Sequence, residues 1–194
     1  MDRNIENLSV LQEVLAVLSR LAIPYALGGS WASSFYGKPR LTHDADVSVE
    51  PFSGKEAAFC SSFGEEYYVS LPAVQDAIRH RSSFNVIHFE SGFKVDLFVR
   101  KLRPFDASLM ARRRTVPLPD TDGQSLTFVS AEDVILLKFE WYRLGGCASE
   151  RQWGDILAVF QVQAGKLDQA YLDHWAADLG VSDLLQRARQ ESGV

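Results

Sequence analysis

The run His43-Asp44-Ala45-Asp46-Val47-Ser48-Val49 limits what this chain can fold into more than any other stretch. Read as a strand, its alternation puts Asp44, Asp46 and Ser48 on one face and Ala45, Val47 and Val49 on the other. The apolar face is then the core-facing one. At the strand repeat the two carboxylates sit about 6 to 7 Å apart and, at an effective dielectric of about 20, repel by about 2.5 kcal/mol. Something positive has to answer them, and hard oxygen ligands of this kind suit magnesium, above all where triphosphates react. By the same alternation His43 faces away from the aspartates and is no ligand.

Upstream, the apolar run Tyr25-Ala26-Leu27 breaks at Gly28-Gly29-Ser30, as a strand does when it turns sharply into a helix. Ser30 can cap that helix, and the N-H groups of the turn form an anion site. A phosphate site and a cation site would then face each other. A third carboxylate, Asp96, lies in Phe93-Lys94-Val95-Asp96-Leu97-Phe98-Val99, where an unpaired charge would be costly to bury. Either a metal or a salt bridge to Lys94 or Arg100 answers it.

Gly28-Gly29-Ser30, then Arg40 and Thr42, then Asp44-Ala45-Asp46, and later Asp96 on another apolar strand, resemble the DNA polymerase beta type nucleotidyltransferase superfamily. Lys138 on the helix that opens Ala131-Glu132-Asp133, with Arg151 and Asp155-Ile156 beyond it, resembles the small bacterial AbiEii-like group within that superfamily. The resemblance runs over about residues 23–160 and implies an α+β fold: a mixed β-sheet nucleotidyltransferase core, residues 1–129, with helices packed on it. A helical C-terminal part, residues 130–194, would form one compact unit with that core. It implies catalytic roles for Asp44, Asp46, Asp96, Lys138 and Asp155, and nucleotide binding by Gly28, Gly29, Ser30, Arg40 and Lys138. Asp44, Asp46 and Asp96 would hold Mg2+. The implied reaction moves a nucleoside monophosphate from an NTP substrate to an unknown hydroxyl acceptor. Transfer RNA and an antitoxin-type protein partner are what AbiEii-like relatives suggest, and a catalytically silent binding module of the same fold is the alternative. Two departures bear on activity: Ala45 is small where a bulkier apolar residue is usual, and Val159 stands where the AbiEii group often has a second acid.

Several of these residues also have bland readings. Lys138 is either a phosphate ligand or a surface lysine that lays its stem along apolar neighbours. Asp155 either serves the site or pairs with Arg151 one turn before it. Arg112-Arg113-Arg114, with Arg79, His80 and Arg81, is either a nucleic-acid rim or ordinary solvated charge. With 25 acidic against 20 basic residues and a net charge of -5, the chain is not built to coat nucleic acid. Cys60 and Cys147 fit no metal spacing and read as buried free thiols. The four tryptophans, Trp31, Trp141, Trp153 and Trp175, sit at helical apolar positions and read as core. The start of the sequence shows no basic leader and no apolar run reaches about 18 residues, so no membrane association and a cytoplasmic location are expected.

Hydrophobic spacing predicts a first helix over 5–21, ended by Pro24, and a helix after Ser53-x-x-Glu56. Strands are predicted near 67–69, over 84–89, 93–99 and 125–129, with Glu90-Ser91-Gly92 as a hairpin turn. Helices are predicted near 72–78, 106–114, 131–142, 151–162, 167–179 and 182–189, with Ser130 and Asp133 as a second capping box.

Overall fold

The structure, a computed structural model, describes residues 3–117 and 125–193. Residues 1, 2, 118–124 and 194, which the division at 129 and 130 also takes in, lie outside the described residues. In chain order the elements are α1 (Arg3–Arg20), β1 (Tyr25–Leu27), α2 (Gly29–Tyr36), β2 (Asp44–Val49), α3 (Glu56–Cys60), β3 (Tyr67–Tyr68), α4 (Leu71–His80), β4 (Ser83–His88) and β5 (Lys94–Val99). There follow α5 (Pro104–Arg112), β6 (Arg114–Pro117), β7 (Ser125–Phe128), α6 (Ala131–Leu144), α7 (Glu150–Val162), α8 (Gln169–Asp178) and α9 (Ser182–Ser192). The strands form one seven-stranded mixed sheet in the order β3-β4-β5-β2-β1-β7-β6. Beyond Phe128 the described chain is helical. Among the described residues no helix is long and apolar enough to cross a membrane.

The alternation in β2 and β5 sets the faces of this sheet. Ala45, Val47, Val49, Val95, Leu97 and Val99 are all buried, and each Val or Leu contributes about 1.5 to 3 kcal/mol by leaving water. Their alternate neighbours Asp46, Ser48, Asp96 and Phe98 are only partly covered. The two strands run parallel in a register that sets Asp46 opposite Asp96 and Ser48 opposite Phe98. β4 reaches β5 through the hairpin around Gly92 and pairs antiparallel with it, which fixes Asp96 from its other side against Asn85.

Local details depart from expectation where side chains had stronger partners. Ser30 does not cap α2: Gly28 is the N-cap, without a side-chain bond, and the Ser30 hydroxyl meets the Arg40 guanidinium instead. Ser53 does not cap α3 either, since Lys55 takes that place while Glu56 Oε2 accepts from the Gly54 N-H at 2.6 Å. The Ser130 capping bond to the Asp133 N-H forms as expected, at 3.2 Å. β6 was not foreseen: Arg114–Pro117 is short, polar and proline-ended, and it becomes a strand by pairing with β7 at the sheet edge. Cys60 is half-buried and Cys147 is exposed, so Cys147 is not a buried thiol.

Within the arginine run, Arg112 and Arg113 make contacts with α5, α6 and α8, while Arg113 and Arg114 remain exposed. Arg112 Nη2 donates to Glu132 Oε2 at 3.1 Å, and the guanidinium lies 3.9 Å from the centre of the Tyr171 ring. Among the described residues its Nε is buried without a hydrogen-bond partner. Glu132 is buried and also accepts from the Asp168 N-H at 3.0 Å, and these bonds, with Arg112, outweigh burial and hold its carboxyl below the usual range. Arg113 turns back onto the Met110 carbonyl. Arg112→Ala is therefore expected to cost about 2 kcal/mol, because it leaves a buried carboxylate short of its charged donor. Urea unfolding measures this, and an unchanged midpoint would count against the structural role.

Candidate active site

Gly28, Gly29 and Ser30 open α2 at the end of β1, directly against β2. The Gly28 N-H donates to the Asp46 carbonyl at 2.8 Å. Gly29 has φ +53°, and a Cβ placed there would come within 1.8 Å of Asp46 Oδ2. The left-handed backbone and the close approach both require glycine. The backbone of the turn and the Asp46 carboxylate thus share one pocket wall.

Asp46 lies in a negative field. Burial, then the neighbouring charges of Asp44 and Asp96, push its carboxyl up to about 6 from an ordinary 3.8. Asp44 is exposed, accepting from Thr42 Oγ1 at 2.8 Å, while Trp31 Nε1 donates to its backbone carbonyl at 3.0 Å. Asp96 turns to Lys94, whose Nζ lies 2.6 Å from Oδ2, and this hydrogen bond raises the lysine above its usual range. Among the described residues no three His, Cys, Asp or Glu side chains converge closely enough to hold a metal by themselves. The register brings the three aspartates together on the sheet, and the Lys94 pair draws the Asp96 carboxylate aside. Asp44 and Asp46 nevertheless fit magnesium, which takes one or two protein carboxylates and fills its shell with phosphate and water. Within the protein, the charges of Lys138 and Lys94 only partly offset burial and carboxylate repulsion at Asp46.

The sign of that shift makes a stability prediction. Between 3.8 and about 6 the folded protein keeps a proton that the unfolded chain releases, so stability falls as pH rises through this window and stays lower above it. Asp46→Asn is expected to be more stable than the parent at neutral pH by about 2 kcal/mol in metal-free buffer. The advantage should vanish below the lower end of the window. Urea unfolding at both pH values measures it; a variant less stable at neutral pH would contradict the electrostatic reading.

Across the cavity stand the cations. Arg40 donates to Asp155, with Nε 3.0 Å from Oδ1 and Nη2 3.0 Å from Oδ2. Lys138 is 8% exposed and its Nζ lies 2.9 Å from the same Asp155 Oδ2. Burial alone would raise the Asp155 carboxyl, but the Arg40 hydrogen bond and the Lys138 charge outweigh it and hold the carboxyl below its usual range. Asp155 therefore pairs with Arg40 and Lys138 rather than with Arg151, and Lys138 is a buried lysine rather than a surface one. What makes the meeting possible is Gly37: a Cβ there would lie 2.8 Å from the Ser33 carbonyl and 3.0 Å from the Val159 N, so only glycine lets α7 approach α2 this closely. Val159 is fully buried at that contact, which accounts for an apolar residue in place of an acid.

Gly28, Gly29, Ser30, Arg40, Asp44, Asp46, Lys138 and Arg151 line a cavity of about 490 Å³ together with Thr42, His43, Phe98 and Trp141, and Asp155 stands behind it. Asp96 is not among the lining residues. His43 precedes β2 and opens onto the cavity rather than away from it. Trp141 is 52% exposed, not core. Trp31 and Phe98 also shape this site, although no motif marks either of them. Thr42 was legible from the Arg40-x-Thr42 approach to the strand and Lys94 as an ion partner of Asp96, whereas Trp31 and Phe98 depend on contacts with Asp44 and Trp141 distant in sequence.

No protein-family model matches the chain, and no curated protein matches it. Among solved structures it is similar to the solution structure of the antibiotic-resistance factor ANT(2'')-Ia, with a TM-score of 0.60 at 12% identity over 96% of this chain and 99% of that one. It is also similar to the crystal structure of an antigenic nucleotidyltransferase-like protein from Paracoccidioides brasiliensis, with a TM-score of 0.54 at 22% identity over 90% and 91% of the two chains. From the sheet order, the glycine turn set against the two-aspartate strand and these whole-chain likenesses, the chain has the α+β nucleotidyltransferase fold.

Proposed function

We propose that this protein is a magnesium-dependent nucleotidyltransferase that moves a nucleoside monophosphate from an NTP to a hydroxyl acceptor. The observation that carries the reading is the opposition of charge within one cavity: Asp44 and Asp46 on β2, against Arg40 and Lys138 beside the Gly28-Gly29-Ser30 turn. A triphosphate bridging these two sets satisfies both. Asp44 and Asp46 would hold magnesium, with Asp96 as the third ligand once it leaves Lys94. When bound, the ion offsets triphosphate charge and makes an acceptor hydroxyl easier to deprotonate.

The chain's own groups do the remaining work. Arg40 and Lys138 are held ready by Asp155 and take anionic phosphate oxygens, while the N-H groups of the turn add neutral donors. The acceptor hydroxyl oxygen attacks the α-phosphorus, forming a new P-O bond as the bond to the β-phosphate bridging oxygen breaks. Pyrophosphate leaves with that electron pair, and the hydroxyl proton passes to Asp96. A second reading, a catalytically silent binding module, is favoured by one observation: Arg40, Lys138 and Lys94 are all engaged with Asp155 or Asp96.

Where the acceptor is RNA, the AbiEii-like resemblance of Lys138 and Asp155 names transfer RNA, with an antitoxin-type protein as partner. The test is to incubate the protein and magnesium with each NTP labelled at the α- or γ-phosphate, with RNA and small-molecule fractions of a cell extract supplied separately. Transfer of α-label to one fraction, with γ-label released in pyrophosphate, is the expected result. Nucleotide binding without transfer to either fraction would favour the silent module.

A further inference from the structure

Next to the carboxylates, on the same face of the sheet, the site changes character. Phe98 stands one alternation, about 6.6 Å, beyond Asp96 on β5. Trp141 of α6 meets it edge to face, with ring centres 6.2 Å apart. Leu109, Met110 and Val134 are buried at the floor, and Leu144, at the rim, is 76% exposed. A tryptophan and a leucine left in water beside a reactive site are costly unless something covers them during the reaction.

Several of the charges on this wall are engaged with one another. Arg103 is shared between Asp106 and Glu140 at 2.6 Å each, and Arg100 is held by Glu50 at 2.7 Å, leaving Lys101 and Arg151 exposed along the cavity. A polynucleotide acceptor needs a track of cations free to take phosphates, and here Arg100 and Arg103 are engaged, which leaves Lys101 and Arg151. The cavity is also the size of small-molecule sites, which are mostly apolar with a few placed polar groups.

We infer that the acceptor is a small molecule with a flat apolar body and a hydroxyl group, its body seated on Phe98, Trp141 and Leu144 and its hydroxyl directed toward Asp46. This rests on the nucleotidyl-transfer reading and adds the chemical class of the acceptor. Trp141 is here a specificity residue that binds the body and leaves the nucleotide untouched.

The test uses the full chain with magnesium and the non-transferable analogue α,β-methylene-ATP. Binding of p-nitrophenyl β-glucoside and of methyl β-glucoside is compared by equilibrium dialysis. The aryl glucoside should bind about tenfold more tightly, since stacking and burial of one aromatic ring are worth that much. Trp141→Ala should erase the preference while leaving affinity for the analogue unchanged; the half-exposed position makes misfolding an unsuitable explanation, and the unchanged nucleotide affinity reports it. Equal affinities, no binding of either glucoside, or a preference that survives Trp141→Ala and Leu144→Ala together would overturn the inference. So would tight, salt-sensitive binding of an RNA hairpin that displaces the aryl glucoside, or a dimer that Trp141→Ala dissociates, which would make this face a contact between copies. Failure to bind the analogue, with the aryl preference intact, counts against nucleotidyl transfer alone.

Discussion

Gly29→Ala is expected to abolish nucleotide binding and to destabilise the protein by about 2 kcal/mol or more. A left-handed backbone costs an L-residue about 1 to 2 kcal/mol, and Gly29 is held at φ +53°. The new methyl would also meet Asp46, with its carboxylate oxygen at 1.8 Å, its Cγ at 2.6 Å and its Cβ at 2.9 Å. The carboxylate tip could rotate, but the last two contacts lie near the backbone of a central strand and force β2 away from the turn. The metal-binding and phosphate-binding walls would then no longer meet. Urea unfolding and calorimetric titration with an NTP and magnesium measure the two effects. A variant with parental stability and affinity would show that the turn merely connects β1 to α2.

The second large effect is expected from Asp155→Ala. Asp155 is the common partner of Arg40 and Lys138, and its removal leaves two cations facing each other, one of them almost fully buried. Breaking a buried pair in this way costs about 3 to 5 kcal/mol. The pH dependence identifies the cause. Because the folded carboxyl sits below its ordinary 3.8, its contribution is complete above that value and is lost as pH falls through the lower folded value. The stability gap between parent and variant should therefore be widest near neutrality and close in acid. Lys138→Met in the same chain should recover part of the loss, since it removes the unpaired charge at similar volume. A gap independent of pH, or a double variant as unstable as the sum, would point to packing of α7 instead.

The parts of this fold that depend on period were readable in the sequence. Alternation in 44–49 and 94–99 gave the buried and reactive faces of β2 and β5, and the Ser91-Gly92 turn gave the hairpin that brings β5 into place. Gly28-Gly29-Ser30 marked the strand-to-helix turn, though not that Gly29 is fixed by contact with Asp46. What could not be read were partners chosen in three dimensions. Asp155 had a plausible mate one helical turn away in Arg151, and only the approach of α7 to α2 over Gly37 hands it to Arg40, 115 residues distant. Ser30 looked like a helix cap because nothing local revealed the Arg40 guanidinium. Arg112-Arg113-Arg114 looked like one patch, yet Arg112 is engaged by Glu132 and Tyr171 while Arg113 closes the end of α5. Trp141 sat at an apolar helical position, and helical spacing does not say whether such a face meets the core or a cavity.

That opposed charge in one cavity holds a magnesium nucleotide is tested most directly by isothermal titration of ATP into the parent protein and into Asp46→Asn, each with magnesium and with EDTA. The expected result is binding by the parent that requires magnesium, and loss of that requirement together with most of the affinity in Asp46→Asn, although the variant is the more stable protein at neutral pH. ATP binding of equal strength with and without magnesium, unchanged by Asp46→Asn, would contradict it.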